Sequence, residues 1–480
     1  MSGLEPSRTE VEAWVEAVAR RVLDHVDALP TAPAVGTVGA KGLARARDLS
    51  LPIPETPSQG FDALLQHILH ATEASLNTAG PGYLAYIPGG GILSAGVADL
   101  VANWLNRYTG LSAASPALCR LEADVLAWLA AEFGYGEAAR GLLTPGGSMA
   151  NFSAIVAARH DKLGDDGDYR GARVYTSSQA HHSVTKSVAL AGIPRRNVVA
   201  VPTDERLRLR PDAFEAAVQA DLAAGLRPFL LVSAVGTTNT GAVDPLGPLS
   251  DVCARHGLWH HVDGAYGGAF ALCPTGRARM AGIERADSIT FDPHKGMFLP
   301  YGTGCLLVRD GRALRQAHRA DAEYLQDFDR LERDGEPPSP TEYGPELSRD
   351  FRGLRVWLPL QLHGAAAFRE ALEEKLTLTA TLAEALHRVP GIEVVDSPQL
   401  SVVPFRLARR PDEALEAWNA RNTEFCEAIN AKQRVYLSTT RLPVHDGPAL
   451  TLRACVLSFR THADVIEAAA EDIAAAAGAR

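Results

Sequence analysis

Residues 288–304 read SITFDPHKGMFLPYGTG, a stretch that begins as a buried strand and ends in an acid, a proline, an imidazole and an amine. This order places Lys295 at the end of a central β-strand, where its amine is partly buried. We expect desolvation and nearby cations to lower the pKa of the amine, which makes Lys295 a candidate to form a Schiff base. The alternative is a lysine that reaches back to solvent or pairs with Asp292.

Short apolar β-type runs and helical patterns alternate on the N-terminal side of this stretch. The predicted strands are 172–178, 197–202, 228–236, 258–263 and 288–292, and the accompanying helices are 149–163, 182–192 and 211–225. Strands that are apolar on both faces and alternate with helices indicate a mostly parallel sheet covered on both sides. We therefore predict an α/β fold whose ligands bind beyond the carboxyl ends of the strands.

An amphipathic helix is predicted near the N-terminus. Between Thr9 and Leu29 the apolar residues recur at steps of three and four, and Thr9 and Glu12 have the spacing of a capping box. A loose stretch of Pro, Gly and Ala follows. Two positions are open for the helix, which covers either a partner subunit or the body of its own chain.

The pattern of elements divides the chain into three parts. We predict an N-terminal helical segment (1–92), a large cofactor-binding domain (93–362) and a small C-terminal α+β domain (363–480). The polar, proline-rich residues 327–346 are expected to form a mobile loop.

Composition excludes several classes of protein. The 480 residues carry a formal net charge of -10 without a long cluster of Lys and Arg, which argues against a nucleic-acid partner. No apolar run approaches the roughly 20 residues that cross a bilayer, and the N-terminus lacks an export signal. We expect a cytoplasmic protein with no membrane partner. The six cysteines stand far apart, which indicates reduced thiols.

Polar residues follow several of the predicted strands. Gly147 and Ser148 stand in LLTPGGSMAN (142–151) just before a helix, where backbone N–H groups and the helix dipole can hold a phosphate. Asp263 follows an apolar strand in LWHHVDGAYGG (258–268), and a buried carboxylate there needs a cationic partner. Taken singly, each motif is more simply explained by a turn, a helix cap or an ion pair.

Two pairs of histidines suggest a metal, but we discount that interpretation. His181 and His182 are adjacent, so their side chains rarely point the same way, and no Cys or acidic residue stands at ligand spacing. His256 and His260 have a spacing that suits a helix, whereas the local pattern is that of a strand. We expect no metal site.

In combination, these features predict a site for pyridoxal phosphate (PLP). An anion cradle at a helix start, an aromatic partner for a ring face, a carboxylate and a strand-end lysine all lie at one edge of the predicted sheet. The carboxylate keeps the pyridine nitrogen protonated, so that the ring accepts electrons from the α-carbon of the substrate. The lysine holds the aldehyde until an amino acid displaces it.

The ordered motifs G-G-S, A-H-x-S, G-T-T, H-V-D-x-A-x-G-G and D-P-H-K resemble the group II pyridoxal-dependent decarboxylases, the family of aromatic-L-amino-acid decarboxylase. The resemblance runs from PGYLAYIPGGG (81–91) to LRACVLSFRTHAD (452–464). It implies the fold-type-I architecture, PLP as cofactor, and decarboxylation of an L-amino acid, aromatic by family position, to the primary amine and CO2. It also implies a homodimer with active sites at or near the interface.

The resemblance assigns a role to each matching residue. Lys295 would form the Schiff base with the cofactor and Asp263 would pair with the pyridine nitrogen, while His181 would stack on one face of the ring. The remaining cofactor positions match Gly147, Ser148, Thr238, Ala265, Ser288 and His294.

Four further residues match positions around the substrate. Tyr324, in AEYLQD (322–327), matches a loop tyrosine that protonates the carbanionic intermediate in these decarboxylases. The related aldehyde synthases typically have phenylalanine there, so Tyr324 favours simple decarboxylation. Tyr86, Ile87 and Trp104 match the side-chain pocket, and their character suits an aromatic substrate. Ordinary core packing explains Trp104 equally well.

The motif around Lys295 leaves alternatives open. Many relatives have Asn at the position of Asp292, and D-x-H-K is also similar to the sphingosine-phosphate lyases, which cleave a carbon–carbon bond. The alternatives to a decarboxylase are therefore a carbon–carbon lyase, an aldehyde synthase, or a relative that binds PLP without catalysis. The intact set of Lys295, Asp263, His181 and Tyr324 argues against the non-catalytic alternative.

Overall fold

The fold is taken from a computed structural model, which describes residues 4–57, 59–165, 167–318 and 339–478. The helices are α1 Arg8–Ala28, α2 Gly39–Asp48, α3 Phe61–Thr72, α4 Leu93–Leu105, α5 Pro116–Glu132, α6 Gly147–Leu163, α7 Ser183–Leu190, α8 Pro211–Ala223, α9 Leu246–His256, α10 Pro274–Arg279, α11 Pro293–Gly296, α12 Gly311–His318, α13 Arg352–His387, α14 Leu415–Asn430 and α15 Ala463–Gly478. The strands are β1 Arg140–Thr144, β2 Ala172–Ser177, β3 Val198–Val201, β4 Arg227–Ala234, β5 Trp259–Gly264, β6 Ser288–Phe291, β7 Gly304–Val308, β8 Ile392–Val394, β9 Val402–Leu407, β10 Ser438–Val444 and β11 Gly447–Cys455.

The larger sheet in the described part of the chain has seven strands in the order β1-β7-β6-β5-β4-β2-β3. β6, β5, β4, β2 and β3 pair in parallel, whereas β7 is antiparallel to both β6 and β1. β1 therefore runs in the same direction as β6, and its carboxyl end lies at the same edge of the sheet. The mostly parallel sheet and all five predicted strands are confirmed.

β1 and β7 are absent from the predicted strands. Their apolar runs, GLLT and GCLLV, are too short to be told from loop or helix by periodicity. Their strand conformation depends instead on pairing with each other. The two strands are paired along their whole length, from Arg140 opposite Val308 to Thr144 opposite Gly304.

The larger sheet is buried on both faces, as the apolar strands predict. Neighbouring residues of one strand belong to opposite cores: Leu142 and Leu306 pack on one side, and Leu143 and Leu307 on the other. Each fully buried side chain of this kind contributes about 1.5–3 kcal/mol. Because both faces are covered, ligands can approach the strands only at their ends.

A smaller antiparallel sheet, in the order β10-β11-β9-β8, forms a second unit with its own core. The long helix α13 links the two units, since it packs on α4 and α5 of the first and on α15 of the second. It is interrupted at Gly364, whose φ of 71° and ψ of 156° are not helical. The kink falls close to the predicted boundary at residue 362, while the division into three parts stays a prediction.

The N-terminal helix α1 is capped two residues earlier than predicted. The capping box is formed by Ser7 and Glu10, not by Thr9 and Glu12, because the backbone is already helical from Arg8. Trp14 stacks on Phe61 of α3 with ring centroids 5.3 Å apart. No residue of α1 is buried, so its apolar stripe finds little cover within the described chain.

Two further predictions concern membranes and the proline-rich loop. Within the described ranges, no helix combines the length and the apolar character that a lipid bilayer requires. The loop predicted over 327–346 lies mostly outside the described residues, and only its last part, from Ser339, is described.

Candidate active site

A cavity of about 500 Å³ lies at the carboxyl-end edge of the larger sheet. It is bounded by the start of α6, by the loops that follow β4 and β5, and by α11 after β6. The predicted cofactor-site residues that line it are Gly147, Ser148, His181, Thr238, Asp263, Ala265, His294 and Lys295. The parallel sheet brings them together, because strands that run the same way end at the same edge.

The start of α6 forms a cradle in which a residue larger than glycine would be crowded. A Cβ on Gly147 would lie 2.8 Å from Asp292 Oδ2 and 3.0 Å from Ala265 Cβ. The first N–H groups of a helix have no acceptor within it, and the helix dipole adds positive potential at this end. The cradle is therefore suited to a phosphate group.

Lys295 is paired with Asp292 in this structure. Its Nζ lies 2.9 Å from Asp292 Oδ2. Burial acts to lower the pKa of the Lys295 ammonium, but the Asp292 carboxylate and its hydrogen bond outweigh burial, so the pKa is raised above its usual value. The predicted lowering of this pKa is therefore wrong, because the nearest charge is an anion. The alternative of a pair with Asp292 is what the structure shows.

Asp292 has one oxygen that is not matched by a donor. The side chain is buried, and Oδ1 has no hydrogen-bond partner among the described residues. His294 Nε2 is 3.8 Å from Oδ2, and burial lowers the pKa of His294. Its Nδ1–H donates to the carbonyl of Thr303 at 2.6 Å. A buried acceptor therefore stands beside the cradle without a partner.

Asp263 lies near the end of β5 and lines the cavity. Its carboxylate accepts hydrogen bonds from two uncharged donors. Asn151 Nδ2 donates to Oδ2 at 2.9 Å, and the backbone N–H of Ala265 donates to Oδ1 at 3.1 Å. In the described part of the chain it forms no ion pair. The expected cationic partner is thus not supplied by the chain itself, and the carboxylate is free to face a cationic ring nitrogen.

His181 supplies an aromatic face to the same cavity. It is half-buried in the loop before α7, and its ring centroid lies 4.1 Å from that of His182. Burial lowers the pKa of His181, so the ring is neutral at physiological pH. A neutral imidazole suits stacking on a flat heteroaromatic ring.

Ser288 does not lie in this cavity, which corrects the expectation that it contacts the phosphate. It begins β6, so it lies at the opposite end of the strand from Lys295. Its hydroxyl is fully buried and is already bonded to Trp259 Nε1 and His261 Nδ1, each at 2.8 Å.

The residues predicted to contact the substrate lie elsewhere within the single chain. Ile87 packs in the main core, while Tyr86 and Trp104 are 55% and 60% exposed. None of the three lines the cavity. Tyr324 lies outside the described residues, so its assignment stays a prediction.

Among the cavity residues without a predicted role are Asn151, Tyr266 and Tyr301. Asn151 stands four positions after Gly147, hence on the same face of α6, which is a usable signal. Tyr301 belongs to the stretch that contains Lys295. Tyr266 stands among glycine and alanine residues, and this local sequence gives no signal that its side chain lines the cavity.

The residues present fit PLP. The glycine cradle matches its phosphate, and Asp263 matches a protonated ring nitrogen. Lys295 would hold the aldehyde carbon, and His181 a face of the ring.

Comparison with known proteins agrees with this geometry. The profile of the family described as "Pyridoxal-dependent decarboxylase conserved domain" matches residues 45–408. An aromatic-L-amino-acid decarboxylase from Bacillus atrophaeus is 34% identical over 442 residues, which cover 92% of this chain and 90% of that protein. A phenylacetaldehyde synthase from Arabidopsis thaliana is 30% identical over 407 residues, with 81% and 79% covered.

A solved structure extends the similarity to the whole chain. The crystal structure of Oryza sativa TDC with PLP and tryptamine superimposes with a TM-score of 0.91 at 27% identity, and covers 100% of this chain and 99% of that one. The fold-type-I architecture is therefore shared from the N-terminal helices to the small C-terminal unit.

Proposed function

The chain belongs to the pyridoxal-dependent decarboxylase family, and from that premise we propose that it converts an aromatic L-amino acid to the primary amine and CO2. It is a PLP-dependent amino-acid decarboxylase. The aromatic substrate is supported by the names of its relatives, an aromatic-L-amino-acid decarboxylase and a structure that holds tryptamine.

The observation that carries the proposal is the placement of Lys295 and Asp263 in one cavity with the cradle at Gly147. These three groups lie at the ends of different strands, and only the parallel sheet makes them neighbours. An amine, a carboxylate without an ion pair and an anion cradle together match the three polar ends of PLP.

Each residue has a distinct proposed part. When bound, PLP supplies a ring that withdraws electrons from the bond to the departing carboxylate. Asp263 holds the ring nitrogen protonated by its charge, and His181 keeps the ring plane fixed. Lys295 presents the amine that holds and later releases the aldehyde carbon. We assign the final proton transfer to Tyr324, from its place in the sequence.

We also propose that the enzyme works as a homodimer with its active sites at or near the interface. α4 exposes Val97, Trp104 and Leu105, which are 54%, 60% and 55% accessible. α1 buries none of its residues. Large apolar side chains exposed on one helix are typical of a contact site. A partner would also explain why Tyr86 and Trp104 have no contact with the cavity of their own chain.

A cytoplasmic location is part of the proposal. All six cysteines are buried, and no disulfide is present within the described ranges, as expected where thiols stay reduced. Fractionation of cells that express the protein would check this, and recovery from an oxidising compartment with disulfides formed would contradict it.

The test of the function is a product assay. The PLP-loaded protein is incubated with each common amino acid, and the released amine is identified by mass spectrometry. We expect amine and CO2 from one or more aromatic substrates. Lys295→Ala should lower turnover by about 10³-fold or more, because the residue acts in every cycle. Lys186→Ala, an exposed lysine on α7, is the matched control and should leave turnover unchanged.

The second candidate is an aldehyde synthase, which is favoured by the similarity to phenylacetaldehyde synthase. Measurement of aldehyde and hydrogen peroxide beside the amine separates the two activities. Amine as the main product supports the decarboxylase; aldehyde with peroxide supports the synthase. PLP-loaded protein that is inert toward the whole panel would contradict both.

A further inference from the structure

A buried amide on α6, that of Asn151, contacts the groups on two sides of the proposed ring site. Asn151 is 1% exposed. Its Nδ2 donates to Asp263 Oδ2 at 2.9 Å and to Ser183 Oγ at 3.1 Å. Ser183 Oγ in turn lies 2.8 Å from His181 Nδ1. One side chain therefore connects the carboxylate to the imidazole.

The neighbours of Asn151 determine which way its amide faces. A carboxylate can only accept, so the nitrogen must face Asp263. On the other side, Oδ1 lies 2.7 Å from Thr290 Oγ1 and 3.0 Å from His261 Nε2, and both groups can donate. In the opposite orientation, the amide oxygen would face the acceptor oxygen of Asp263, and the amide N–H groups would face the donors of Thr290 and His261.

The proton on His261 is assigned by the same reasoning. The indole N–H of Trp259 can only donate, and it donates to Ser288 Oγ at 2.8 Å. The Ser288 hydroxyl then donates to His261 Nδ1 at 2.8 Å. Burial lowers the pKa of His261 to about 4, so the ring is neutral and carries its proton on Nε2, toward Asn151.

His181 is oriented at the other end of the chain of hydrogen bonds. The backbone N–H of Ser183 donates to His181 Nδ1 at 3.3 Å. The Ser183 hydroxyl accepts from Asn151 and therefore directs its own proton to the same Nδ1. The neutral imidazole carries its proton on Nε2, and its plane is held from the Nδ1 edge.

The donors to Asp263 orient the carboxylate without neutralising it. Asn151 and the N–H of Ala265 are both uncharged. A lysine or arginine in their place would form an ion pair and compete with a cationic ligand. The arrangement leaves the negative charge of Asp263 available to the cavity.

We propose that Asn151 is a positioning residue that sets both Asp263 and His181 for the ring of the cofactor. The inference rests on the proposed function, since it concerns how the same site holds PLP. It assigns Asn151 two separable effects: one on the contact between Asp263 and a cationic ring N–H, and one, through Ser183, on the plane of His181.

The test compares PLP with its 1-deaza analogue, in which a carbon replaces the ring nitrogen. The ratio of the two dissociation constants measures the contact between Asp263 and the nitrogen. In Asn151→Ala we expect PLP to bind at least about tenfold more weakly, as for loss of a hydrogen bond to a charged group. The preference for PLP over the analogue should shrink by a smaller factor, because the effect through Ser183 weakens both ligands. Ser183→Ala should weaken both ligands and keep the preference.

The matched control is Ser250→Ala. Ser250 bonds His260 Nδ1 at 2.9 Å, a buried contact to the same strand β5 that does not reach the cavity. It should change neither the affinity nor the preference. Thermal unfolding of each variant checks the fold, and Asn151→Leu, which fills the volume without donors, replaces Asn151→Ala if the latter is unfolded.

Two different results would contradict the role of Asn151 and the role of Asp263. If Asn151→Ala weakens PLP and the analogue equally, or weakens neither, Asn151 does not position Asp263. If the wild-type protein binds PLP no better than the analogue, the role of Asp263 in the proposed function fails first, and the inference about Asn151 fails with it.

Discussion

The ion pair between Lys295 and Asp292 governs when the amine is reactive. Burial lowers the pKa of Lys295, but Asp292 outweighs it and the pKa lies above its usual value. A protonated amine is not a nucleophile. The amine therefore becomes available only as the pH rises toward that raised pKa, unless the pair is separated.

Replacement of Asp292 by Asn should make Lys295 reactive at lower pH. Asp292→Asn removes the charge that contributes most to raising the pKa of Lys295, so burial is opposed less strongly and the neutral fraction at any given pH increases. Labelling of Lys295 in the PLP-free protein by an amine-reactive reagent, followed by mass spectrometry over a series of pH values, measures this. Exposed Lys186 is the internal control, and an unchanged profile for Lys295 would disprove the assignment.

The same substitution should strengthen phosphate binding. Asp292 Oδ1 is a buried acceptor without a partner beside the cradle at Gly147, and an Asn amide would offer a donor there without negative charge. We expect Asp292→Asn to bind pyridoxine 5'-phosphate, which has no aldehyde, several-fold more tightly by calorimetry. Pyridoxine without the phosphate should bind both proteins alike. Weaker binding of the phosphate by the variant would contradict the placement of the phosphate at this cradle.

The position of a residue in a motif predicts its surroundings only when the order of helices and strands determines them. Gly147 and Lys295 are placed by the start of a helix and the end of a strand, so their place in the cavity follows from the order of elements. Ser288 and Asp292 flank the same strand, yet Ser288 bonds Trp259 and Asp292 bonds Lys295. Trp259 comes from another strand, and a single sequence carries no record of that contact. Lys295 stands three positions after Asp292, so the sequence offers this pair as one alternative without choosing it.

Helix α13 depends on one glycine for its change of direction. Gly364 has φ 71° and ψ 156°, a region that side chains other than glycine avoid. A Cβ there would meet nothing within 4 Å, so the cost of a substitution is that of the backbone alone.

Gly364→Ala should therefore destabilise the protein by about 1–3 kcal/mol. A lower midpoint of thermal unfolding, measured by circular dichroism, is the expected result. Gly247→Ala is the matched control, because Gly247 lies in α9, its Cβ would also be unhindered, and its φ is not positive. It should be neutral or slightly stabilising. Equal effects of the two variants would show that α13 can straighten without cost.

Local sequence signals predict elements better than their ends. The five parallel strands and the helices between them follow from periodicity and composition, whereas the capping box shifts from Thr9 and Glu12 to Ser7 and Glu10. Both pairs have the same spacing and suitable side chains. The choice depends on where the first helical turn closes, which is a difference of about 1 kcal/mol.

Assembly is the property of the whole molecule that the exposed apolar side chains predict. Trp104→Glu should shift the protein from dimer to monomer in sedimentation velocity, because it buries a charge in the proposed interface. Leu222→Glu is the control: Leu222 is 48% exposed on α8, which packs on β4 and α9, and the variant should stay dimeric. A wild-type monomer at working concentration would refute the dimer, and with it a role for Trp104 across an interface.

The sequence by itself determined the α/β class, the parallel strands, the family and the cofactor, because periodicity, glycine placement and a strand-end lysine are local properties. Only the tertiary structure decided that Asn151 holds Asp263 and that Ser288 faces away from the site, and it chose the pair with Asp292 between the two alternatives for Lys295. The contacts of Asn151 and Ser288 join residues from different strands and helices. Their geometry depends on strand order and packing, since the charge nearest to a buried amine sets its pKa whatever its distance along the chain.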